Sequence, residues 1–187
     1  MGSWGVKAME SDYGLDLLII AEKRYLQGVK FKNFHVKHIT ELLRAYIVDE
    51  FVQESNGWEA QYIDFFYDYT FPYHYDEAVM LVAECLNDYF RNGKFRMEIF
   101  EEGKDKPTRK TISEFIFTAN DLNKLLADLK NILDPTRGLY ESWKESQSFD
   151  EWQAHIKMLC ESIENQIKQA DNTLSDSLDD EEEQEEM

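Results

Sequence analysis

The stretch from Ser148 to Ile167 constrains the fold more than any other part of the chain. Phe149, Trp152, Ile156, Leu159, Ile163 and Ile167 follow one another at intervals of three or four residues, the period at which side chains return to one face of an α-helix. A strand would scatter them over two faces. The segment therefore predicts a long amphipathic helix that must lie along a core to keep these six groups from water. Ser148 and Glu151 stand three apart at its start, in the pattern of a capping box.

Other segments carry weaker forms of the same signal. Ser11 or Asp12 can cap a first helix over residues 12–27, with Gly28 ending it. Ile39, Leu42, Leu43, Tyr46, Ile47 and Phe51 predict a second helix, stopped at residues 54–57. Pro72 reads as a break, after which Asp76-Glu77 open a third helix with Ala78, Leu81, Val82, Cys85, Leu86 and Tyr89 turned inward. Thr118 and Asp121 form a capping pair for a helix over about 119–133, ended by Asp134-Pro135.

Residues 29–37 read as a short strand or an extended link. Phe95, Met97 and Ile99 alternate with polar residues, and Ile112, Glu114 and Ile116 alternate on the return, which predicts a hairpin joined by a long polar loop. The fold class that follows is α+β and helix-dominated, with about five helices and a small antiparallel hairpin or sheet. One domain is expected over residues 1–170. Residues 171–187 hold nine acids and no base, the composition of a disordered tail.

Charge bounds the function classes. The chain has 38 acidic and 20 basic residues, a net charge of −18. With the tail set apart, the body still holds 29 acids against 20 bases, near −9. Such a field repels nucleic acid and anionic membrane, and attracts basic proteins. The sequence has no 18-residue apolar run, so no membrane span and a cytoplasmic setting are expected. Cys85 and Cys160 fall on apolar helical stretches and read as buried thiols.

Little in the chain reads as a catalytic motif. His35 and His38 are three apart and His74 lies in an aromatic stretch, but no zinc-type motif accompanies them. No metal and no cofactor are expected, since the eight glycines form neither a P-loop nor a dinucleotide fingerprint. Asp12 and Asp16 are four apart on one face of the first helix, and with Glu84 they could form a carboxylate site for acid-base chemistry, with or without Mg²⁺. The simpler reading makes Asp12 a cap or dipole partner. Residues 58–75 interleave nine aromatics with Asp64 and Asp68, more rings than one helix face can bury. Asp64, Tyr67, Asp68 and Tyr73 are the expected partner-binding residues, aromatic anchors beside carboxylates.

The opening "MGSWGVKAMESDYGLDLL" resembles the N-terminal signature of a bacterial family of unknown function whose members begin Met-Gly-x-Trp-Gly, followed by an acidic pair and a Leu-Asp on the first helix. "DEAVMLVAECLNDYF" is similar to that family's Ala-rich helix with its Ala-Glu pair, here Ala83-Glu84. The two stretches, residues 1–18 and 76–90, cover under a fifth of the chain. Met80 and Leu81 depart from the Ala-rich pattern, and the resemblance implies no activity. Gly2 and Gly5 are the small residues of a tight turn, and Trp4 between them is expected to pack on the core.

The functional expectation is a non-enzymatic, acidic interaction protein, in its sharper form an immunity-like inhibitor of a basic protein such as a toxin nuclease. The alternative is a small carboxylate-dependent hydrolytic enzyme centred on Asp12, Asp16 and Glu84.

Overall fold

The computed structural model describes residues 5–21, 34–35, 71–99, 108–112 and 115–185. The expected helix after His38, the aromatic stretch before residue 71, and Gly2 and Trp4 lie outside the described residues. Within them the fold is helix-dominated, with five α-helices and short paired strands. A single 3₁₀ turn, Ala8–Glu10, leads into α1, Asp12–Ala21. Then come β1 (Phe34–His35), α2 (Phe71–Asn92), β2 (Phe95–Ile99), β3 (Thr108–Ile112) and β4 (Phe115–Ile116). Helices α3 (Ala119–Ile132), α4 (Gly138–Trp143) and α5 (Phe149–Glu185) complete the order.

Helix α2 is the centre. Every residue from Asp76 to Leu86 is buried, so the helix is enclosed on all sides over three turns. It starts earlier than the sequence predicts. Pro72 occupies the first turn, where helical N–H groups have no intrahelical acceptor and a missing donor costs nothing. Asp76 and Glu77 are consequently interior positions of α2 and fully enclosed, not charges at its N-terminus. At the other end Gly93, with φ of 66°, donates its N–H to the Tyr89 carbonyl at 2.7 Å and turns the chain into β2.

The long amphipathic helix forms as its spacing requires. Trp152, Ile156, Leu159 and Ile163 are buried, and Phe149 and Ile167 pack at the margin. Trp152 lies between two rings, stacked on Trp143 at 5.7 Å and on Phe149 at 5.8 Å. Trp143 comes from α4, a six-residue helix the sequence reading does not anticipate. The backbone of α5 continues to Glu185, whereas a disordered tail is expected over 171–187. No Gly or Pro interrupts residues 149–185, and Glu and Gln propagate a helix well.

Helix α3 has the expected cap. Thr118 N–H donates to Asp121 Oδ2 at 2.8 Å, and Asp121 N–H donates to Thr118 Oγ1 at 3.2 Å. Its Leu122, Leu125, Leu129 and Ile132 are buried. Strands β2 and β3 form the antiparallel hairpin, Phe95 opposite Ile112 and Ile99 opposite Thr108. The return strand lies earlier than the alternation of Ile112, Glu114 and Ile116 predicts: it is Thr108–Ile112, and only Ile112 is shared. After Ile112 the chain changes partner: β4 pairs in parallel with β1, Phe115 is buried and Ile116 is exposed.

Candidate functional site

The polar groups with the most unusual surroundings sit where the 3₁₀ turn and α1 meet α2. Ser11 caps α1: its Oγ accepts the Gly14 N–H at 3.0 Å and donates to the Ala8 carbonyl at 2.8 Å. The close approach needs Gly14, because a Cβ there would fall 1.8 Å from the Ala8 carbonyl oxygen. Gly5 leaves room in the same way for the Glu10 side chain, whose carboxylate accepts the Lys7 N–H at 3.2 Å.

Glu84 of α2 brackets this turn to the rest of the protein. Its Oε1 accepts the Ala8 N–H at 2.8 Å and its Oε2 the Met9 N–H at 3.3 Å. The Nε2 of His155 on α5 donates to Oε1 at 2.8 Å. Two of these three N–H donors belong to the turn, which would otherwise bury them unpaired. The 3₁₀ turn and α2 therefore meet at Glu84.

Two turns back along the same face of α2 is Glu77, 4% exposed, with Oε2 at 3.4 Å from Ser11 Oγ. Burial, then the charges of Glu84 and Asp76, push its carboxyl up to about 8. Asp76 turns the other way. It takes a forked ion pair from Arg137, whose Nε donates at 3.1 Å, and whose Nη2 also bonds. Arg137 is aimed by an Asp134 turn, in which Thr136 N–H donates to Asp134 Oδ1 at 2.8 Å. Burial still raises the Asp76 carboxyl above its ordinary value, against the lowering effect of Arg137.

The expected site residues separate into different settings. Asp12 is the first residue of α1, where its charge suits the helix N-terminus. Burial, then the charge of Asp12, raises the carboxyl of Asp16. Both oxygens of Glu84 are engaged by N–H donors, which tie the turn and α5 to α2. Tyr73 is half-buried and packs edge-on to Tyr13 at 6.0 Å. Burial, with Glu77 and Tyr13 against a hydrogen bond from Ser142, pushes its hydroxyl up to about 12. Asp64, Tyr67 and Asp68 lie outside the described residues.

His74 is buried beside Tyr13, with ring centroids 4.5 Å apart, and burial pushes its imidazole down to about 4. His35 is in β1 and His38 is outside the described residues. Among the described residues no group of three or more His, Cys, Asp or Glu is arranged to hold a metal ion. Nor is any described helix long and apolar enough to cross a membrane. Sequence reading missed Ser11, Glu77 and His155 as one cluster. The signal present was the seven-residue interval between Glu77 and Glu84, which places both acids on one helix face.

No protein-family model matches this chain, and neither the curated proteins nor the solved structures contain a significant match to it.

Proposed function

We propose that the protein is a non-enzymatic, acidic interaction protein of the cytoplasm that masks a basic protein partner, as an immunity-like inhibitor masks a toxin nuclease. The observation that carries this reading is charge: −18 over the chain, and near −9 before residue 171. Long-range attraction of that size speeds encounter with a basic surface. The carboxylate that the alternative enzyme reading needs most, Glu84, is already bonded to Ala8, Met9 and His155. The binding surface is assigned to the segment with Asp64, Tyr67 and Asp68. Tyr73, the fourth residue assigned to that surface, packs edge-on against Tyr13 and His74.

The test is capture of partners on the immobilised chain at low salt, followed by binding kinetics on the protein retained. A basic protein should be recovered, and association should slow as ionic strength passes about 0.15 M, where the screening length is near 8 Å. Asp64→Asn with Asp68→Asn should slow association, and Tyr67→Ala should speed dissociation by roughly thirtyfold if it anchors the complex. Recovery of no basic partner, or rates indifferent to salt and to these changes, would overturn the reading.

A further inference from the structure

Hydrogens at the junction of the turn, α1 and α2 can be counted one by one. A serine hydroxyl has one hydrogen to give and two lone pairs to receive. Ser11 Oγ has three neighbours: Gly14 N at 3.0 Å, the Ala8 carbonyl oxygen at 2.8 Å and Glu77 Oε2 at 3.4 Å. Gly14 N–H can only donate, so it fills one lone pair. Two oxygens at 2.8 Å need a hydrogen between them, and the Ala8 carbonyl has none. The Ser11 hydrogen is therefore committed to Ala8. What Ser11 turns to Glu77 is a lone pair. An ionised Glu77 would oppose it with another, at a place where both residues are 4% exposed. A protonated Glu77 supplies the missing hydrogen and completes the set.

We propose that Glu77 is a carboxylic acid, not a carboxylate, in the folded protein, and that its proton latches the N-terminal segment of residues 5–21 onto α2, so that loss of the proton loosens this segment.

The surrounding charges favour that state. On α2 itself, Glu84 and Asp76 are acids, while His74 and Tyr73 stand one turn before Glu77. The N-terminal segment brings Lys7, Glu10, Asp12, Tyr13 and Asp16, with Lys7 paired to Glu10 at 3.9 Å. Helix α5 brings His155, which is held by Glu84. Arg137, just before α4, is committed to Asp76, and Asp128 of α3 acts on that pair. Strand β2 brings Arg96, which is exposed. Among the described residues, Lys7, Arg137 and His155 are each paired with a carboxylate other than Glu77.

The sign follows. A carboxyl whose folded pKa is raised takes up a proton on folding, so its contribution to stability is complete below about 4.5 and is lost as pH rises through about 8. The local readout is amide hydrogen exchange of residues 8–15 in the full chain at pH 6 and pH 9, corrected for intrinsic rates. Protection in the wild type should fall on the order of tenfold at the higher pH. Glu77→Gln, whose amide N–H can donate to Ser11 in place of the acid, should hold protection within about twofold. An equal loss in both proteins would overturn the proposal. Should the variant fail to fold, ¹³C NMR of wild-type protein labelled at glutamate Cδ decides the matter. One glutamate titrating near 8 supports the latch; completion of all glutamate titrations within the ordinary range overturns it.

Discussion

Gly14→Ala separates two opposing effects with opposite signs. In an ordinary helix interior, alanine in place of glycine stabilises by roughly 0.5–1 kcal/mol, because it loses less backbone freedom on folding. At position 14 the new Cβ would lie 1.8 Å from the Ala8 oxygen, 2.4 Å from the Ala8 carbonyl carbon and 3.2 Å from Met9 N, all backbone atoms. Restoring an ordinary carbon-oxygen contact of about 3.3 Å requires α1 and the turn to part by roughly 1.5 Å. The bonds from Gly14 N to Ser11 and from Ser11 to Ala8, at 3.0 and 2.8 Å, have no such slack. Overpacking costs about 1–3 kcal/mol and two lost hydrogen bonds about 1 kcal/mol each. After the propensity gain, a net loss of roughly 2–4 kcal/mol is expected. Urea denaturation followed by far-ultraviolet circular dichroism measures it, with an unchanged slope showing that the transition remains comparable. Gly93→Ala is the contrasting control, since its Cβ would meet nothing within 4 Å and only its φ of 66° opposes substitution. A Gly14→Ala protein as stable as wild type, or more stable, would refute the close approach of α1 to the turn.

The remaining expectations concern single features. Arg137→Met should destabilise by about 2–3 kcal/mol in the same assay, below the 3–5 of a fully buried pair because the Arg137 side chain is 30% exposed while Asp76 is left enclosed. Thr118→Ala removes the cap of α3 and should cost about 1 kcal/mol in a thermal melt analysed for free energy. His74 has a folded pKa near 4, so its neutral form contributes stability above about 6.5 that is lost as pH falls towards 4, on the order of 3 kcal/mol. Stability against pH for His74→Phe should show that acid limb flattened. Deletion of residues 172–187 should leave the melting temperature nearly unchanged while the helical dichroism falls, since the described core contacts of α5 end at Ile167.

Periodicity made α5, α3 and strand β2 legible, because each repeats a short-range rule over several turns or pairs, whereas the return strand Thr108–Ile112 has no apolar alternation in TRKT to announce it. Pro72 misled the reading of α2, since a proline that breaks a helix interior is harmless in its first turn. That one shift turned Asp76 and Glu77 from apparent caps into buried acids. Helix α4 has six residues, too few for a period to emerge from GLYESW. The partners of Glu84 lie 76 residues before it and 71 after it, and nothing local to α2 announces them. The cap at Thr118 could be read because both members lie within three residues.

The position of the Glu84 bracket also bears on how the protein is made. A nascent chain presents Ala8 and Met9 first and Glu84 much later, and His155 emerges only after a further 71 residues. At ribosomal speeds of about 5–20 residues per second, that last interval is roughly 4–14 seconds. Throughout it α2, buried on every side in the finished fold over Asp76 to Leu86, still lacks the packing of α5 against it. Ala8 and Met9 therefore wait for His155 before the bracket that holds them is complete. During that wait the apolar sides of α2 are the surface a chaperone would meet.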